Sequence, residues 1–420
     1  MKSNVAGEWC HPTPTWSMWV GLSRAISGSG WDADRDAPMP CNLLSTLPPT
    51  LPPTHIQDNM TATAAIPPTQ AAILQQDGRL VVVRNAPVPK VLPGWLLVRN
   101  FAVSLNPCDF KMAARFPTPG LKDGVDFAGT VAAIGSEVTG YRIGDRVFGC
   151  VPSNKQDDAE SGSFSEYVKV EVIYTLRMPP RMTFETAMAL NPACICTVAL
   201  ALHQSFGLPA TPDEAAELGV TTKDTVLVYG GSSSVGLLAI QMLKLLGHHV
   251  VTTCSPRNFS LVKQYGADAV FDYRSRTCAM DIRTYTKNKL RRVIDPFGEA
   301  ATTALCFEAM GRAGGIYCSL ETYQQSLCTR RTVKHSLVMG PAILGRGVLL
   351  PEPYGVPPDP ELHAWSKRFF RSLQGLIDEN KIKPLPMERL QPGGFETVIA
   401  GLEILKSKKV SGKKLVVRVS

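Results

Sequence analysis

No C-x-x-C pair occurs among the eleven cysteines of this 420-residue chain, and only Cys194 and Cys196 stand close together. That spacing excludes a disulfide framework and a structural zinc clip, and it fits reduced thiols in a cytoplasmic chain. Long apolar runs are lacking too. The longest one free of charge, Thr186 to Leu202, is broken by Asn191 and Pro192. It falls short of about eighteen clean apolar residues, so it reads as interior packing and not as a membrane span. A Lys/Arg block with interleaved aromatics is also missing, which removes the usual signature of a nucleic-acid surface. The formal charge of +8 is nevertheless lopsided. Residues 1–60 hold Lys2, Arg24 and Arg35 against Glu8, Asp32, Asp34, Asp36 and Asp58, so they carry −2 and the remainder +10. A basic body suits an acidic protein partner or a phosphorylated substrate, or is simply a solvated surface. No internal repeat is present.

What is there divides into four stretches. Residues 1–60 form an extension with four of the six tryptophans and the Pro-rich "LPPTLPPTHI", a segment that cannot pack as helix or sheet; the apolar patch Trp16 to Leu22 is short and stops before Arg24, a poor match to a signal peptide, and Met60 would make a natural start. Residues 61–190 alternate short β-rich runs with turn residues, from "AAILQQDGRLVVVRN" near Ala71 through "GVDFAGTVAAIG" and "SFSEYVKV", with "SNKQDDAESG" as a loop. From Met182 the texture becomes helical, and residues 191–345 alternate strands with helices, the pattern of a parallel sheet covered on both faces. Residues 346–420 read as two helices and a final strand that return to the β-rich region.

The stretch "VYGGSSSVG", residues 228–236, is the most informative. A buried strand ends in a turn almost without side chains and is followed by the apolar helix "VGLLAIQMLKLLG". Gly230 and Gly231 permit backbone angles other residues resist, and the free amides at the helix start favour an anion. The spacing departs from G-x-G-x-x-G, yet a second strand, "HHVVTTC", completes a strand–helix–strand unit of about thirty residues, as a dinucleotide site requires. An NAD site places Asp or Glu at the end of that second strand. Here stand Ser255, Pro256, Arg257 and Asn258, which suit a 2′-phosphate and hence NADP(H). A charge-assisted bond of about 1.5–3 kcal/mol from Arg257 gives a roughly tenfold to hundredfold preference.

Taken in order, "LNPCDFK", "GVDFAGTV", "GDRV", "SFSEYVKV", "VYGGSSSVG" and "KVSGKKLVV" resemble the medium-chain dehydrogenase/reductase superfamily over about residues 71–420. The resemblance implies an α/β fold: a Rossmann-type doubly wound parallel sheet plus a GroES-like β-rich domain. Zinc alcohol dehydrogenases of that superfamily carry a Cys three residues before the first segment's Asp and a Gly-His-Glu in the second. This chain has Asn106, then Gly124, Val125 and Asp126. A lone Asp126 cannot supply the three protein ligands of a catalytic zinc, so no metal is expected.

Within the zinc-free branch, "NPCDFKM", "CSPRNFSLVKQYGADAVFDYR", "IRTYTKNKLRRVID" and "GVLLPEPYGVPPDPE" are similar to the stand-alone enoyl reductases that act in trans on fungal highly reducing polyketide synthases, as in lovastatin biosynthesis. The likeness implies NADPH-dependent reduction of an α,β-unsaturated acyl thioester on the carrier domain of a synthase, plain or fused to a peptide synthetase, by a monomer or homodimer. It assigns cofactor contacts to Cys108, Asp109, Phe110 and Lys111, and to Ser232, Ser233, Ser234 and Val235. Further cofactor contacts fall on Ser255, Pro256, Arg257 and Asn258, on Tyr273, on Leu320 and Glu321, and on Val410 and Ser411. Acyl-chain contacts fall on Thr197, Val198, Ala199, Leu200, Ala201, Leu202, His203 and Gln204. They continue on Pro341, Ala342, Ile343, Leu344 and Gly345.

Hydride delivery to the β-carbon drives charge onto the thioester oxygen, and Lys111 or Thr197 is the expected donor there. Bland readings stand beside these. Thr197 could bond its own helix backbone and Lys111 could be a surface ammonium. Cys108 has Asp109 beside it but no adjacent His or Lys base, so it reads as a small buried thiol and not a nucleophile. Tyr273 packs in the core or lies against the adenine or ribose. Two other functions remain open: a quinone or alkenal reductase acting on diffusible substrates, and an NADP-binding subunit without turnover.

Overall fold

The computed structural model describes residues 65–221 and 223–420. The N-terminal extension, its Pro-rich run and Met60 lie outside the described residues. Order begins with a hairpin of β1 (Thr69–Gln76) and β2 (Arg79–Pro87), closed by Asp77 and Gly78 at φ 47° and 72°. Two such positive angles match the twist of the flanking strands. There follow β3 (Trp95–Ser104), α1 (Pro107–Arg115), β4 (Asp126–Ile134), β5 (Arg146–Cys150), β6 (Tyr167–Glu171) and β7 (Thr175–Arg177).

The chain then turns helical. α2 (Phe184–Leu190) and α3 (Pro192–Leu200) meet at Asn191, and a π-helical turn, Ala201–Ser205, continues α3. The stretch Phe184–Ser205 has the length and apolarity to cross a membrane, but 72% of its most apolar window is buried in this protein, which makes it a core element. After α4 (Pro212–Glu217) come β8 (Thr225–Val228), α5 (Ser234–Leu245), β9 (His249–Cys254), α6 (Phe259–Gln264), β10 (Ala269–Asp272), α7 (Cys278–Tyr285), β11 (Arg292–Asp295), α8 (Ala300–Ala309), β12 (Gly315–Ser319) and β13 (Val333–Leu337). The chain closes with α9 (Pro360–Asp378), β14 (Met387–Leu390), α10 (Phe395–Lys406) and β15 (Lys414–Arg418).

Strands β8 to β13 form one parallel sheet in the order β10-β9-β8-β11-β12-β13. The order reverses between β8 and β11, and ligands of such sheets bind at the strand ends beside that reversal. Alternate residues feed two cores. Val226, Val250, Ile294 and Cys318 face α3 and α5, whereas Leu227, Val251, Val293 and Tyr317 face α7 and α8. The second sheet runs β14-β15-β3-β4-β5-β7, with β6 paired to β3. Here the C-terminal region supplies two strands, not one. β14 is short, and its parallel pairing with β15 from Met387↔Lys414 to Leu390↔Val417 is what makes "MERL" a strand. The larger core is shared: Leu96, Phe127 and Phe148 of the β-rich lobe join Val228 and Val250 of the parallel sheet and Ile240 of α5 in one buried cluster.

Candidate functional site: a dinucleotide crevice

The turn after β8 is shaped by packing. Gly230 has φ 64°, and a Cβ there would strike the Phe297 ring; one at Gly231 would overlap Thr252 Oγ1. Ser233 caps α5, its hydroxyl accepting from the Gly236 amide at 3.1 Å while its own amide donates to Gly230 O at 2.9 Å. The amides of Ser232, Ser234 and Val235 have no protein acceptor among the described residues. These three N–H groups, at and just before the positive end of a twelve-residue helix, could hold a diphosphate. Of the four predicted contacts here, Ser233 differs: its amide is spent on Gly230 O and its hydroxyl oxygen on the cap, so only the hydroxyl proton is left to donate.

At the end of β9, Asn258 Nδ2 donates to Ser411 Oγ at 2.9 Å and lies 3.5 Å from Ser255 Oγ. Ser255, Asn258, Val410 and Ser411 are therefore brought to one edge. Pro256 and Arg257 are exposed, and Arg257 forms no ion pair among the described residues. Tyr273 is 39% exposed, with Arg274 over its ring and Tyr229 at 6.2 Å. Core packing is thereby excluded for Tyr273, and a surface shelf beside β8 and β10 remains.

The β-rich lobe meets this edge through α1. Lys111 Nζ lies 2.9 Å from Glu321 Oε2, Arg115 lies 3.1 Å from Oε1, and the Tyr354 hydroxyl donates to Oε1 at 3.0 Å. Burial by itself would raise the Glu321 carboxyl, but bonds from Lys111 and the Thr322 amide hold it below the ordinary range. Lys111 is thus not a free surface ammonium; it spans the crevice to Glu321, beside Leu320. The neighbours of Lys111 differ from expectation. Cys108 is exposed as a residue, yet burial around its sulfur, with Asp109 beside it, holds the thiol well above its ordinary pKa, which fits the unreactive thiol expected. Asp109 is 0% exposed and accepts the Asn106 amide at 2.7 Å, so its side chain is committed to capping α1. Phe110 packs on the cluster with Val103 and Leu105.

The expected acyl wall is partly corrected. Val198, Ala199, Leu200, Ala201 and Leu202 are all 0% exposed, because α3 runs through the shared core, so they back the wall and cannot line it. Ala342 and Ile343 are buried likewise, and Gly345 turns the chain at φ 65°. Surface is offered by Thr197, His203, Gln204, Pro341 and Leu344. Thr197 Oγ1 donates to Ala193 O at 2.8 Å, the helix-backbone bond of the bland reading, and it sits against Gly340. His203 stacks on Trp365 at 4.1 Å in the π-helical turn, a distortion frequent at functional sites.

Where a zinc would be held in zinc-dependent relatives of this fold, the donors do not fit one. Asp126 is 0% exposed and already accepts from Ser104 Oγ (2.8 Å), Asn106 Nδ2 (2.7 Å) and the Ala193 amide (2.9 Å). The Lys414 ammonium, 2.5 Å from Asn106 Oδ1, supplies the positive charge. The nearby Cys194 thiol is pushed up to about 12, chiefly by burial, whereas a zinc ligand must be a thiolate. Lys414, Asn191, Ser104 and Tyr354 are missed by sequence reading, because nothing adjacent in the chain marks them.

Comparison with known proteins agrees with this geometry. Residues 92–180 match the alcohol dehydrogenase GroES-like domain and residues 234–337 the zinc-binding dehydrogenase domain. The enoyl reductase cheB of Chaetomium globosum is 50% identical over 361 residues, 84% of this chain and 94% of that one. The trans-enoyl reductase ccsC of Aspergillus clavatus is 47% identical over 362 residues, 85% and 98% of the two chains. The CurK enoyl reductase structure is 17% identical and shares the fold, with a TM-score of 0.64 over 84% of this chain and 100% of its own. With 47% and 50% identity over alignments that span 98% and 94% of these two relatives, the chain belongs to the trans-enoyl reductase family of the medium-chain dehydrogenase/reductase superfamily.

Proposed function

We propose that this protein reduces the α,β-double bond of a polyketide acyl thioester presented by the carrier domain of a highly reducing polyketide synthase, plain or fused to a peptide synthetase. The observation that carries the reading is the set of acceptor-free amides at the start of α5, in a chain whose Asp126 carboxyl is already paired within the protein and needs no metal. When bound, the nicotinamide supplies hydride to the β-carbon. The chain's own groups do the rest. The amides of Ser232, Ser234 and Val235 seat the diphosphate, and Ser255, Arg257 and Asn258 receive the 2′-phosphate that distinguishes NADPH from NADH. The Tyr273 shelf takes the adenine side.

Charge developing on the thioester oxygen needs a donor. Lys111 and Thr197 border the crevice, and each must exchange a present partner, Glu321 or Ala193 O, to serve. The enzyme works in the cytoplasm as a monomer or homodimer. A steady-state assay separates this reading from a quinone or alkenal reductase and from a binding subunit. NADPH absorbance should decay with a long-chain enoyl thioester, faster on a carrier domain than on a free thiol, and faster than with quinones or enals. NADPH binding without decay on any enoyl thioester would overturn it.

A further inference from the structure

We propose that Lys414 is the positioning residue of the crevice: its buried ammonium, joined to Asp126 through Asn106 and Asn191, holds α1, α3 and β15 in one frame. Lys414 is 2% exposed and Asp126 0%. Asn106 accepts from Lys414 Nζ at 2.5 Å and donates to Asp126 Oδ2 at 2.7 Å. Asn191, in the amide orientation that satisfies both neighbours, does the same at 2.6 and 2.9 Å. Two asparagines thus relay in parallel between one cation and one anion. No buried side-chain nitrogen or oxygen of Lys414, Asn106, Asn191, Asp126 or Ser104 is left unpartnered, whereas Lys122 Nζ and Asp123 Oδ2, also buried, find no partner among the described residues.

The anchored positions matter for the site. Asn106 is the residue before α1, which carries Lys111. The Ala193 amide held by Asp126 lies in the first turn of α3, which carries Thr197. A negative charge on those amides also favours the helix start. Lys414 begins β15, directly after the loop with Val410 and Ser411. Asn191 is held at φ 52°, a left-handed angle that asparagine tolerates, so that α2 ends and α3 begins on one residue. Buried ion networks are poor evidence of stability, and fixing one geometry is their best-attested use.

The kinetic consequence rests on the enoyl-reductase reading; the structural one does not. For Lys414→Met, kcat on an enoyl-pantetheine thioester should fall at least tenfold, with KM for NADPH changed less than threefold. Hydrogen exchange at residues 191–200 should quicken at least tenfold while α5 is unaffected. Because the single variant leaves Asp126 buried and uncompensated, K414M/D126N is measured beside it: it should recover thermal stability yet keep the low kcat and fast exchange. A folded double variant with kcat within threefold of wild type and exchange at 191–200 unaltered would overturn the proposal. Should the wild type itself fail to reduce the thioester, the functional reading falls, and exchange still decides whether the frame exists.

Discussion

The two sides of the crevice are built by opposite means. On the nucleotide side, nine consecutive residues make an anion seat from main-chain amides, and the side chains are mostly kept out of the way: Gly230 and Gly231 leave space, and Ser233 spends its hydroxyl on the helix cap. On the other side, Ser104, Asn106, Asp126, Asn191 and Lys414 come from four remote segments and hold the framework by side chains alone. A backbone site is insensitive to which side chains surround it but sensitive to the loss of one amide. A side-chain site is the reverse.

That contrast can be broken at its first half by Ser234→Pro. Proline is tolerated at the first position of a helix, and Ser233 already has the extended angles, φ −73° and ψ 162°, that a following proline requires. The N–H is lost together with the Ser234 hydroxyl, and Ser234→Ala, which keeps the N–H, measures the hydroxyl's share. NADPH and NADH affinities, followed by fluorescence titration, should both fall, by up to about a hundredfold for a charge-assisted bond of about 1.5–3 kcal/mol. Arg257→Ala sharpens the comparison, since it removes a side chain beside a backbone seat: NADPH should weaken roughly tenfold or more while NADH is unchanged. Equal weakening of both would deny Arg257 the 2′-phosphate.

Smaller effects belong to the crevice proper. Thr197→Val should lower kcat on an enoyl thioester about threefold to tenfold, less than a free oxyanion donor, because its proton now lies on Ala193 O. A loss below threefold would remove Thr197 from the chemistry. Glu321 offers the smallest and most pH-dependent change. Its carboxyl is held below the ordinary value of about 4.3, so the tie to Lys111 and Arg115 contributes fully above that pH and is lost as pH falls through the lowered folded value. Glu321→Gln should cost about 1 kcal/mol at pH 7, seen as a melting shift of about 2 °C that vanishes in acid.

The same contrast explains what reading the sequence reveals. The cradle is legible because its cause is local: a strand, two glycines and a helix start stand together in the chain. The parallel sheet follows from the alternation around it. Lys414 is illegible because "KSKKVSGKK" reads as a solvated basic run; only the pairing of β15 with β3, Val416 against Ser104, turns that lysine inward. Val198 to Leu202 were assigned to the ligand by likeness, yet α3 spends that face on the core.

The larger core runs without interruption from Leu96 and Phe148 to Val228 and Val250. Two lobes that share one interior cannot part as independent bodies without exposing it, so a cavity cut into either side of that interior should lower the melting temperature of the whole body and not of one lobe alone.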